Sequence, residues 1–268
     1  MTLLRLEVTK LRHQKRTWFG YAGLAVVPLV ATIALSLSHS APDGEEGLAF
    51  LGGVFRNGLA VPVVTLLALS PFLMPLAASM VGAFMIAGEA ETGTLKTILV
   101  RPVHRGALLA AKFEVAVLYL LSALVVVFTV ALTAGRIAFG GRPLVTPIAS
   151  FGVGGMLWRG AVAYLLCLVA MAAVVALALL FSTLSNSSLT AAILCLVLVM
   201  VVQILTSFSY FGFLKPWVFT TSFTAWSDLF RTFIPWWTLA KTMACPVGWS
   251  ALLMVLAWLR FRRRDILI

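Results

Sequence analysis

The stretch EAETGTLKTILVRPVHRGALLAAK, residues 89–112, is a polar island between two apolar runs. Residues 59–87 precede it and residues 106–134 follow it, the second run broken only by Lys112 and Glu114. A helix crosses a bilayer with roughly 20 residues at about 1.5 Å rise each, and both runs are that long. The island must therefore lie in water on one side. Lys96, Arg101, Arg105 and Lys112 assign it to the cytoplasm, because basic residues near span ends favour that side. Gly93 is expected to break the incoming helix. Thr94 can cap a short new helix from Leu95 to Val100, its hydroxyl accepting a bond from an orphan N–H, and Pro102 ends that helix. The expected object is a short helix across the inner mouth of two spans, where something outside the membrane can push on it.

The composition extends this reading to the whole chain. Of 268 residues, 62% are hydrophobic and 11% charged, and the mean hydropathy is +1.06. A soluble domain is about 45–50% apolar and about 25% charged, so a polytopic membrane protein is expected. The net charge of +11 would raise nucleic acid as a partner of a soluble protein. Here most basic residues flank apolar spans, so topology and anionic headgroups explain them and no nucleic acid is expected. Cys167 and Cys195 lie inside apolar runs, Cys245 stands near a span end, and no CxxC motif is present.

Residues 1–16 read as a basic amphipathic helix on the inner surface, with Leu4, Val8 and Leu11 on one face; the alternative is a plain positive flank. Six spans follow, at residues 17–38, 59–87, 106–134, 160–184, 189–209 and 244–260. The first also resembles a signal peptide, but its apolar run exceeds the 7–15 residues of a signal core. In the second, Pro62, Pro71 and Pro75 are each expected to delete a helical hydrogen bond, giving a kinked or broken helix. Such a break either lines a cavity or is satisfied by neighbouring helices, and Pro71 and Pro75 are candidate pathway residues. Glu114, about two turns inside the third span, and Gln203, the strongly polar residue of the fifth, are further candidates. Glu114 could instead pair with a basic residue of the island, and Gln203 could bond across helices. Residues 135–159 read as an outer loop. The stretch at 185–188 (SNSS) reads as an uncharged inner turn. Residues 210–242, with Phe219, Phe223, Trp226, Phe230, Phe233 and Trp237 at three- or four-residue steps, read as interfacial or re-entrant helices. With both termini inside, thirteen of the 20 Lys and Arg residues fall on inner segments and seven on outer ones, which favours this orientation.

Catalytic signatures are missing. There is no GxxxxGK[ST] loop, so this chain does not bind ATP in the P-loop manner, and no HExxH or GxSxG motif. The three histidines lie in different flanks. No ionisable cluster appears at one membrane depth, as a membrane enzyme would show. Neither catalytic residues nor a cofactor or metal site is expected in the chain.

The surface helix, the six spans, the island EAETGTLKTILVRPVHR, the Ser/Asn turn and the FRRRD tail together resemble the permease subunits of bacterial type-2 ABC exporters. The resemblance covers essentially the whole chain as one permease domain, and the island is its most specific part. It implies an all-α fold: six transmembrane helices, an amino-terminal interfacial helix, and a cytoplasmic coupling helix between spans two and three. In such permeases the segment 89–105 docks in a groove on a cytoplasmic ATPase. The residues it assigns to coupling are Glu89, Glu91, Gly93, Thr94, Leu95, Arg101, Pro102 and Arg105. It further implies two ABC ATPase subunits carrying ATP and Mg, a second permease, identical or paralogous, and an inner-membrane location among membrane lipids with both termini cytoplasmic. Spans two and five would face the pathway. The substrate is open, since drug, peptide, lipid, polysaccharide and ion export all occur in the family. The rival reading is a membrane enzyme or scaffold acting on lipids without an ATPase.

Overall fold

The computed structural model describes residues 3–37, 57–93, 104–140, 144–145, 150–231 and 233–262. The expected coupling helix from Leu95 to Val100, with Thr94, Arg101 and Pro102, lies outside these residues, as do the loop after the first span and the end of the tail.

The chain is an all-α polytopic membrane protein. Among the described residues five helices are long and apolar enough to cross a membrane, and one bent pair makes a sixth candidate span. The first helix, α1 (Leu3–His13), is short and amphipathic. It turns at Gln14 into α2 (Lys15–Leu37), the first span, which carries Pro28.

The second span is broken twice. α3 (Val61–Leu69) and α4 (Leu73–Phe84) meet at 60°, and α5 (Ala87–Glu91) follows after Met85 and Ile86. The expectation that all three prolines remove helical hydrogen bonds needs correcting. Pro62 and Pro75 each sit in the first turn of a helix, where an N–H has no intrahelical acceptor to lose. Only Pro71 stands in a break. Gly93, at φ +70°, closes the segment after α5 in the left-handed conformation that glycine adopts without steric cost.

The third span, α6 (Arg105–Phe139), runs five residues past its expected end at 134 and finishes at Gly140, φ +76°. Gly135 had signalled a loop. It is instead a packing glycine: a Cβ there would press on the carbonyl of Gly58 and on Val61. A two-residue antiparallel pairing, β1 (Leu144–Val145) with β2 (Ser150–Phe151), precedes α7 (Val153–Leu184). Of the loop expected at 135–159, residues 135–139 belong to α6 and residues 153–159 to α7. α8 (Ser188–Ser207) is the fifth span, started by Ser187, whose hydroxyl accepts from the Thr190 N–H.

The described residues from 210 to 231 form 3-10 turns where α-helices were expected. Three 3-10 turns, Ser209–Leu214, Phe219–Phe223 and Ala225–Phe230, lead into α9 (Trp236–Arg262). α9 starts eight residues before its expected position at 244, immediately after Pro235, whose carbonyl accepts from the Leu239 N–H. Of the aromatic stripe, Phe219, Phe223 and Trp226 are buried, whereas Phe233 and Trp237 are exposed. Arg159, expected in the loop, lies in α7 and donates to the carbonyls of Leu229 (2.7 Å) and Arg231 (3.1 Å), tying the turns to the bundle.

α7 is the hub, packed by α4, α6, α8 and α9. Its contact with α4 is close because the residues are small. A Cβ on Gly82 would stand 2.7 Å from the Cβ of Ala178 and 2.8 Å from the carbonyl oxygen of Val175. α2, α8 and α9 keep wide apolar faces uncovered, as helices in contact with lipid do.

Candidate functional site

Charged residues from the two ends of the island converge at the end of the bundle that carries α1. Lys112 on α6 is the largest fully buried side chain there, 1% exposed. Its Nζ lies 2.8 Å from Oε2 of Glu89 on α5 and 3.5 Å from Oε2 of Glu7 on α1. Lys10, one turn along α1, places its Nζ 3.2 Å from Oε1 of Glu7 and 3.2 Å from Oε1 of Glu89. The four groups form a closed ring in which each ammonium bridges both carboxylates and each carboxylate divides its oxygens between the two lysines. The ring is neutral in sum. That is the condition under which charges are tolerated away from water. Burial would by itself lower the pKa of Lys10, but the carboxylates of Glu89 and Glu7 outweigh it and hold the ammonium above the ordinary lysine range.

The other two charged residues flanking the segment also find partners inside the chain. The carboxylate of Glu91 accepts from the N–H (2.8 Å) and the hydroxyl (2.7 Å) of Ser188. A negative group thus sits on the N-terminus of α8, where the helix dipole favours it. Arg105 donates from Nη1 to the carbonyls of Phe261 (3.1 Å) and Arg262 (3.0 Å), a cation on the C-terminus of α9. The chain entering 94–103 is therefore fastened to α1, α6 and α8, and the chain leaving it is fastened to α9.

Each break in the second span is met by a neighbour. Ser182 on α7 donates its hydroxyl to the Ala83 carbonyl and accepts from the Ala87 N–H, both at 2.7 Å, bridging α4 and α5. Gln203 on α8 donates to the Pro71 carbonyl at 3.1 Å. The cross-helix role weighed for Gln203 is thus the observed one, and it meets Pro71. Pro75 is buried in the first turn of α4. Glu114 joins none of these. It lies about 200° round α6 from Lys112, is exposed, and among the described residues belongs to no ion pair.

Sequence reasoning missed Glu7, Lys10, Ser182 and Ser188. A signal existed for the first: Glu7 is the lone acid before residue 43, in a basic stretch. Lys112, which interrupts an apolar run, was its counterpart. For Ser182 no signal existed, since a serine in a greasy helix fits many roles.

A family model described as ABC-2 family transporter protein matches residues 3–203. The chain belongs to the ABC-2 transporter family. The matched region holds all four residues of the ring, the Glu91–Ser188 contact and the Pro71–Gln203 contact; the 3-10 turns and α9 lie beyond it. No curated protein shows significant similarity to the chain. Membership in the ABC-2 family supports a transport permease embedded in the membrane by several spans.

Proposed function

We propose that this ABC-2 permease is one half of the membrane part of an ATP-driven exporter in the inner membrane, with both termini in the cytoplasm. Two permeases, identical or paralogous, pair with two copies of a cytoplasmic ABC ATPase, which holds ATP and Mg. The segment 94–103 docks on that ATPase, and closure of the ATPase dimer drives the bundle from inward-open to outward-open. The observation that carries this reading is the bracing of the segment at both ends. Glu89, Glu91 and Arg105 are spent on the permease's own helices, so they transmit a push, and contact with the ATPase falls to the residues between them. A push on 94–103 reaches α1 and α6 through the ring, α8 through Ser188 and α9 through Arg105. A ligand shifts such an equilibrium only by its differential affinity for the two states, so this mechanical link is what coupling requires.

The test is to co-express the permease with its ATPase. Leu95→Asp is expected to abolish co-purification of the ATPase. Glu91→Gln is expected to preserve co-purification while lowering transport-coupled ATP hydrolysis about tenfold, the effect of roughly 1.4 kcal/mol. Unchanged coupling in both variants, or full activity with no ATPase in the cell, overturns the reading and favours an enzyme or scaffold acting on lipids.

A further inference from the structure

A groove of about 420 Å³ opens between the α1–α2 elbow and α6, within the roughly 300–1,000 Å³ range of small-molecule sites. Its walls include Leu11, Trp18, Tyr21, Val115, Leu118 and Ser122. Trp18 is 62% and Leu118 43% exposed, so the groove opens sideways from a span that itself faces lipid. Its hydroxyls are already used. Tyr21 Oη lies 2.6 Å from Ser122 Oγ, Ser122 donates to the Tyr119 carbonyl (2.7 Å), and Tyr119 donates to the Thr17 carbonyl (3.4 Å). The Thr17 hydroxyl likewise donates to the Leu11 carbonyl (2.7 Å), so the hydroxyls are satisfied within the chain and the wall is mainly apolar, which suits an aliphatic chain better than a polar solute.

The rim supplies the other half of the recognition. The elbow sequence KLRHQKR, residues 10–16, carries Arg12, Lys15 and Arg16 between Leu11 and Thr17, two residues of the groove's wall. Glu7 is the sole acid of residues 1–37, and its charge is engaged by Lys10 and Lys112. The elbow keeps a positive surplus, opposed on α6 by the exposed Glu114, one turn before Leu118. We propose that this groove binds one acyl chain of an anionic phospholipid, with the phosphate held at the α1–α2 elbow. A lipid seated there would press α1 against α6 and so support the ring.

The protein would be purified in mild detergent and exposed to equimolar phosphatidylglycerol, phosphatidylethanolamine and phosphatidylcholine. Retained lipid would then be counted by mass spectrometry. Phosphatidylglycerol is expected to be enriched about tenfold over phosphatidylcholine. Leu118→Trp, which fills the groove, is expected to return retention to the bulk ratio. The triple variant Arg12→Gln, Lys15→Gln, Arg16→Gln leaves the groove open and is expected to remove the preference as well; it decides the question should the tryptophan variant not fold. Retention at the bulk ratio in the parent chain, or a preference that survives both changes, overturns the proposal. So does an interchain disulfide formed by Leu118→Cys and absent from the parent chain, which would seat a second copy in the groove. The measurement needs no ATPase partner, so its failure leaves the transport reading standing.

Discussion

Lys112 is the residue on which most depends. Removing a cation from a buried ion pair leaves its partners uncompensated, at a cost of about 3–5 kcal/mol. Lys112→Met is therefore expected to lower the melting temperature of the detergent-solubilised protein by several degrees. The double variant Lys112→Met, Glu7→Gln should recover part of the loss, because the reduced set regains neutrality; a thermal shift series checks both. Lys10 behaves differently. Its raised pKa gives stability that is complete below the ordinary lysine value and lost only as pH climbs through the raised one. The difference in melting temperature between the parent chain and Lys10→Met should thus stay constant from about pH 6 to pH 9. The sequence displayed Lys112 as an interruption and Glu7 as a stray acid. Nothing in the chain said that they meet across 105 residues, because contact at that separation is set by how α1 folds back on α6.

At the scale of elements, the second span shows what prolines do and do not disclose. Their presence foretold a broken helix, and the break exists. Their positions relative to helix starts decided which of them breaks it, and helix starts are poorly marked in a continuous apolar run. Ser182 supplies the missing half of the second break. Ser182→Ala leaves the Ala87 N–H without its acceptor in a dry interior, so a loss of about 1–3 kcal/mol is expected; faster amide exchange at Ala87 would confirm the mechanism. Gly82→Ala should also destabilise, by about 1–3 kcal/mol, because the added methyl meets the backbone of α7 at Val175 and neither helix can yield cheaply. An unchanged melting temperature would show that α4 and α7 part readily. The misplaced helix ends share one cause. Gly135 and Arg159 read as loop residues, yet one allows a close approach to Gly58 and the other holds distant carbonyls. Loop chemistry and packing chemistry draw on the same residue types.

For the molecule as a whole, membrane class, helical fold and family were legible because they rest on composition, length of apolar runs and one long polar island. The partnership of charges around that island was not. Glu89, Glu91 and Arg105 looked like surface groups offered to a partner, and in the structure each is engaged by a helix of its own bundle. Arg159→Met is expected to free the far-end turns at 219–231 while leaving the α1 end intact. Limited proteolysis should then cut near Arg231 sooner in the variant, with no change in any property that depends on the ring.

The ring also imposes an order on how the protein is made. Glu7 and Lys10 leave the ribosome well before Lys112, which follows only after two membrane segments have been threaded. Until then the leading helix waits at the bilayer surface with an acid that has only its neighbour for company. Whatever hinders its swing back toward the third crossing leaves the buried ammonium of Lys112 with one carboxylate where the finished fold gives it two.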